Sequence, residues 1–169
     1  EIKTSDADLA ASTAAQVRVR DGLTASADLV NRLEVMRKQI LDQEKANASK
    51  ADLAGALEAL DAKMLTVELR LVSHSDLNSD DKYYVEPYRV YMSYIWLNGA
   101  LGSGAGDVAG GADFPPTQAE LDWLGSLEKE LDAAKTAYKA LVDTDLAAFN
   151  KQMDGKLPVI TETVRPVVP

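Results

Sequence analysis

The chain has 169 residues, with 18 Lys+Arg, 27 Asp+Glu, one His and no Cys, for a formal charge of −9. That length predicts one domain with a real core, while the acidity and the absence of a basic patch argue against nucleic acid. Zero Cys excludes disulfides, thiolate metal sites and Cys catalysis, and no apolar run approaches the ~18 residues that span a bilayer.

No signal-peptide pattern opens the chain, and position 1 is Glu rather than Met, so the sequence reads as a processed or excised piece. Alanine supplies the chain's helix propensity, and all six prolines lie at or beyond Pro87, leaving the first half free for long helices. The first helix is predicted from Ser5 or Asp6, where a short polar side chain can cap free N–H groups, to about Lys45. Its apolar residues are Leu9, Val17, Leu23, Val30, Leu33, Ile40 and Leu41, with Leu9, Leu23 and Val30 on one heptad frame and Gly22 a place to bend. A turn follows at 46–49.

The second helix is the clearest. Ser49 and Asp52 resemble a capping box with Asp in the Glu position. Leu53, Leu57, Leu60, Met64, Val67 and Leu71 then alternate in steps of four and three, the pattern of a bundle seam. Its end is expected near Ser73–His74.

Residues 75–86 are polar and read as a loop. Pro87 suits the first turn of a short third helix of about 15 residues, on which Val90, Tyr94, Leu97 and Leu101 keep the same spacing. A Gly-rich loop of about 15 residues comes next. Thr117 and Glu120 then form a regular capping box for a fourth helix. Its stripe is Leu121, Leu124, Leu127, Leu131, Ala134, Tyr138, Leu141, Val142 and Phe149, it runs to about Met153, and Gly155 stops it. The expected architecture is all-α: an up-down-up-down four-helix bundle over 1–155, with two long helices, a short third helix and a Gly-rich loop before the fourth. Residues 156–169 form an extended Pro-containing tail, lying on the bundle or leading elsewhere.

Three stretches carry a resemblance: the opening SDADLAASTAAQVRVRDGL, the block YRVYMSYIWLNGALGSGAGDVAGGADFPPTQAEL, and the ending DLAAFNKQMDGKLPVI. Together they resemble the C-terminal helical region of large secreted bacterial proteins built on BNR-repeat or sortilin-like β-propellers, often labelled glycosyl hydrolase or sialidase-like. The resemblance implies a domain that follows propellers, in a protein that is secreted, periplasmic or on the cell surface. Its partners would be its own N-terminal β-propeller domains or a second copy of itself. The Ser-x-Asp-x-Gly-x-x-Trp signature of BNR repeats is missing here, so no catalytic residue of a sialidase carries over to any position of this chain.

Asp76, Asn78 and Asp80 reproduce the opening of a Ca²⁺ loop, whose alternate oxygen ligands converge on one hard cation. Asp81 stands where the turn Gly belongs, and Pro87 where the bidentate Glu belongs, so an ordinary acidic loop competes with a cation site. His74, beside Ser73, Ser75 and Asp76, reads as a capping or surface residue, because a triad needs convergence in space rather than in sequence. Tyr83, Tyr84, Tyr88, Tyr91, Tyr94 and Trp96 crowd into 14 residues. Helical spacing would put Tyr84, Tyr88 and Tyr91 on one side and Val90, Tyr94 and Leu97 on another. Both cannot face a single core seam, so one set packs under the Gly-rich loop or faces a partner, packing being the first reading. If it faces a partner, the candidate binding surface is Tyr83, Tyr84, Tyr88, Tyr91 and Trp96 with the loop acids Asp107 and Asp113, for a protein or for carbohydrate. The Gly-rich loop matches no phosphate-binding motif. Most Asp and Glu are expected on the solvated faces of the amphipathic helices, with no catalytic pair, cofactor site or metal site singled out among them.

Overall fold

In a computed structural model, residues 5–73, 86–101 and 115–163 are described. Every regular element among them is helical: α1 (Asp6–Ala46), α2 (Ala51–Leu71), α3 (Val90–Ala100) and α4 (Gln118–Ala140), which passes through a π-helical segment (Leu141–Leu146) into α5 (Ala147–Gln152). The protein is all-α, as the stripes predict, and its four helical runs are consistent with a bundle. The chain forms two compact units, Glu1–Ala27 with Leu71–Ala133, and Asp28–Arg70 with Ala134–Pro169. They are described in turn as unit 1 and unit 2.

In unit 1, α1 starts from a reciprocal cap. The Asp8 N–H donates to Ser5 Oγ at 3.1 Å while the Ser5 N–H donates to Asp8 Oδ2 at 3.3 Å. The face of α1 buried here is Ala15, Val19, Gly22 and Ser26, not the Leu9–Val17–Leu23 set that hydropathy favours; Leu9 and Val17 are exposed. Tyr94 is the cause. Its ring, buried on α3, lies so close to Gly22 that a Cβ there would sit 2.3 Å from Tyr94 Cζ. The glycine is therefore a seat for a ring, where a bend was expected. Val90, Tyr94, Leu97 and Leu101 are buried as predicted, with Leu124, Leu127 and Leu131 of α4 completing the core of this unit. The helix α3 is shorter than expected, 11 residues beginning at Val90. Pro87 disfavours helical backbone at the residue before it, and Arg89 is extended at the N-cap (φ −96°, ψ −176°). At the other end, Gln16 Nε2 donates to the Leu101 carbonyl at 3.2 Å. The Thr117–Glu120 box opens α4 as predicted: the Thr117 N–H donates to Glu120 Oε2 at 2.7 Å, and the Glu120 N–H to Thr117 Oγ1 at 3.3 Å.

In unit 2 the same frame of α1 continues with larger residues, Leu33, Met36 and Ile40, and ends on Gln43; Leu41 is exposed. On α2, Leu57, Leu60, Met64 and Val67 are buried and Leu53 half-buried. The helix begins one residue later than the Ser49 cap implies. The Lys50 N–H is tied to the Asn47 carbonyl at 2.8 Å, and the Lys50 carbonyl accepts the first helical bonds from Leu53 and Ala54, both 3.1 Å.

The π-helical segment has a simple cause. From Leu124 the buried positions step by three and four to Leu141, but the next buried residue is Leu146, five on, followed by Phe149 and Met153. A continuous α-helix would turn Asp145, Ala148 and Gln152 inward. One extra residue in the turn rotates the remainder of the helix by roughly 100° and brings Leu, Phe and Met to the core instead. Asp145 is left at the rim, where it pairs with Lys63 of α2. Deleting Thr144 is therefore expected to restore an ordinary α-helix with the same three residues inward. Its stability should match the parent within about 1 kcal/mol by urea denaturation, whereas deleting the equally exposed Glu130 from α4 should unfold the chain.

Gly155 ends the helical run in the left-handed region (φ +70°), as anticipated. Beyond it, Leu157 and Ile160 are buried. Two side-chain amides satisfy the backbone of this non-helical segment. Asn150 brackets Ile160, accepting from its N–H at 3.0 Å and donating to its carbonyl at 2.9 Å. Gln39 brackets Thr161 in the same way at 3.2 and 2.7 Å. Residues 157–161 thus belong to unit 2, held there by side chains of α1 and α5.

Candidate functional site

The helix α3 commits one side to the core, so the residues one and two positions after Tyr94 face outward. Trp96 is 52% exposed and Ile95 38%. Tyr88, just ahead of the N-cap, stacks on Trp96 with ring centroids 5.8 Å apart and planes at 29°. Four residues after Ile95 and Trp96 come Gly99 and Ala100, which are too small to fill the space beside the rings. The result is a depression of about 450 Å³ lined by these four residues. What the patch offers is adhesion: two partly exposed, mutually stacked rings and an aliphatic neighbour, in unit 1.

Of the predicted surface, Tyr88 and Trp96 are brought together, and Tyr91 is half-buried on α3. The expected Tyr84–Tyr88–Tyr91 side fails at Tyr88, which precedes the helix and so escapes its periodicity. Tyr83, Tyr84, Asp107, Asp113, the loop residues Asp76, Asn78 and Asp80, and His74 all lie outside the described residues. Among the described residues no group of three acids or imidazoles could hold a metal ion, and no helix is long and apolar enough to cross a membrane.

A second constellation, in unit 2, is an exception to the solvated faces expected for most of the acids. Glu68 of α2 has a fully buried side chain. Arg37 of α1 donates from Nε and Nη2 to the two oxygens of Asp61, at 2.8 and 3.2 Å, and from Nη1 to Glu68 Oε2. The other Glu68 oxygen, Oε1, is buried and accepts from no donor among the described residues. Burial first, and Glu34 after it, push the Glu68 carboxyl up to about 7 against the opposing pull of Arg37. Arg37 itself is driven above its already high range, chiefly by its bonds to Asp61. Beside the cluster runs a groove of about 470 Å³ whose charged lining includes Glu34, Arg37, Lys38, Asp42, Lys45 and Asp61. Sequence did hold a signal for this cluster: Asp61 and Glu68 stand seven apart, two turns on one side of α2, next to Met64 of the seam.

No family model, curated protein or solved structure matches the chain.

Proposed function

We propose that this chain is a non-catalytic helical interaction domain, accessory to the β-propellers of a larger protein working outside the cytoplasm. The observation that carries the interaction reading is Trp96: a large ring more than half exposed, stacked on Tyr88 beside an open depression. Exposed aromatic anchors of this kind dominate binding energies at protein interfaces. The propeller neighbour is supported by the resemblance of the three sequence stretches alone, and any glycosyl-hydrolase label would belong to the propellers. A second reading, a carbohydrate-binding module, draws on the same rings, since stacked aromatic faces also suit the apolar faces of sugars.

Trp96→Ala is the test. The side chain is exposed, so the fold should be kept, as judged by circular dichroism. Binding to a propeller segment or to a second copy should weaken by about 30-fold, the loss of a ~2 kcal/mol anchor. Light scattering and calorimetry read both. Association untouched by the substitution would overturn the interaction surface. Glycan-array hits that vanish in Trp96→Ala would move the assignment to the carbohydrate reading.

A further inference from the structure

We propose that Glu68, with Glu34 and Arg37, is a proton-binding switch inside unit 2: the folded unit keeps a proton between the two carboxyl groups in acidic to neutral solution, and its loss loosens α1 from α2. The inference does not depend on the α3 surface.

Glu68 Oε1 is a buried acceptor with no donor among the described residues, and a buried polar atom left unpaired is costly. Glu34 is the side chain placed to relieve it, since the two carboxyl groups are hydrogen-bonding neighbours. Two carboxylates both accept and neither donates, so such a bond exists only with a proton between them. The one guanidinium at this place already serves two acids, Asp61 and Glu68. Arg37 is thus shared between two acids, and the buried one, Glu68, has no water to turn to. Lys38, Asp42, Glu44 and Lys45 line the groove beside the cluster together with Glu34, Arg37 and Asp61. Lys38 pairs with Asp42 at 2.9 Å, Lys63 with Asp145, and Arg32 with Glu162, which also accepts from the Tyr138 hydroxyl.

The sign follows from linkage. An ordinary Glu ionises near 4.5, and burial raises Glu68 to about 7 in the folded chain. The folded state therefore holds this proton more tightly than the unfolded one. The stabilisation is complete below pH 4.5 and is lost as pH rises through 7. Across that window the unfolding constant should gain up to about tenfold per pH unit from this one group.

Carboxyl-carbon NMR of the full chain labelled at Glu, titrated from pH 4 to 9, tests the proposal directly. One Glu resonance should show a midpoint near 7 and be missing in Glu68→Gln. Glu34→Gln, at an exposed position, keeps the fold and supplies an amide donor to Oε1, so it should lower that midpoint by about one unit. Urea denaturation should show the wild-type slope between pH 5 and 7 flattened in Glu68→Gln. If every Glu carbon titrates in the ordinary range, or if Glu68→Gln keeps the parental slope, the switch does not exist. Should Glu68→Gln fail to fold, the wild-type titration and the Glu34→Gln shift still decide.

Discussion

Replacing Gly22 by Ala is expected to destabilise the protein by about 2–3 kcal/mol, the cost of overpacking a rigid core. Helix propensity alone predicts the opposite, because Ala in a helix interior is worth about 1 kcal/mol over Gly. The geometry decides between them. A methyl at position 22 would lie 2.3–2.6 Å from three atoms at the tip of Tyr94. That ring is fully buried, so it has no free direction in which to swing. Either α3 shifts or the ring leaves its rotamer. The clash is specific, and a second substitution identifies it. Tyr94→Leu removes the ring tip and costs stability by itself, but Gly22→Ala should become nearly neutral or favourable in its presence. The two changes should therefore couple by more than about 1 kcal/mol in a double-mutant cycle measured by urea denaturation. Additive effects would mean that the Gly22–Tyr94 contact does not set the spacing of α1 and α3 in unit 1.

The same residue shows why some of the fold was legible in sequence and some was not. Helix starts and stops are local chemistry, so Ser5, the Thr117–Glu120 box and Gly155 could be read directly, as could the four-three spacing on α2 and α3. The buried face of α1 is not local. Leu9, Val17 and Leu41 are more apolar than Ala15, Gly22 and Ser26, yet the small residues are inside because a ring from another helix needs the room. The π-helical turn lay in view as the five-residue step from Leu141 to Leu146, but reading it requires knowing that both stripes face the core. For the candidate site, the outward direction of Trp96 follows from Tyr94 being inward, whereas the stacking of Tyr88 depends on chain that is not helical. Glu68 escaped because an acid beside a seam looks solvated until its partner Arg37, 31 positions away, is placed.

Arg37→Met should be the more damaging substitution in alkaline solution and a mild one in acid. Met keeps an aliphatic stem to fill the space, so the change isolates the guanidinium. Its loss strands Glu68, whose side chain has no access to water, while Asp61, 30% exposed, can recover hydration. Removing one partner of a buried ion pair typically costs 3–5 kcal/mol, much of it the charge left behind. Glu68 has an escape that most stranded charges lack, since it can keep its proton. Without the lowering influence of Arg37 its midpoint rises above 7, so near pH 6 the carboxyl is neutral and the loss should be only about 1 kcal/mol, that of the Asp61 and Glu68 hydrogen bonds. As pH rises toward 8.5, holding the proton costs progressively more relative to an unfolded chain that has none. The penalty relative to the parent should then grow by up to about 1.4 kcal/mol per pH unit. Urea denaturation at pH 6 and 8.5 measures both ends. The double variant Arg37→Met with Glu68→Met, apolar on both sides, should recover most of the alkaline loss, because replacing a buried pair by well-packed apolar groups is often neutral or stabilising. A penalty independent of pH, unrelieved by the second change, would show that Arg37 acts through Asp61 alone.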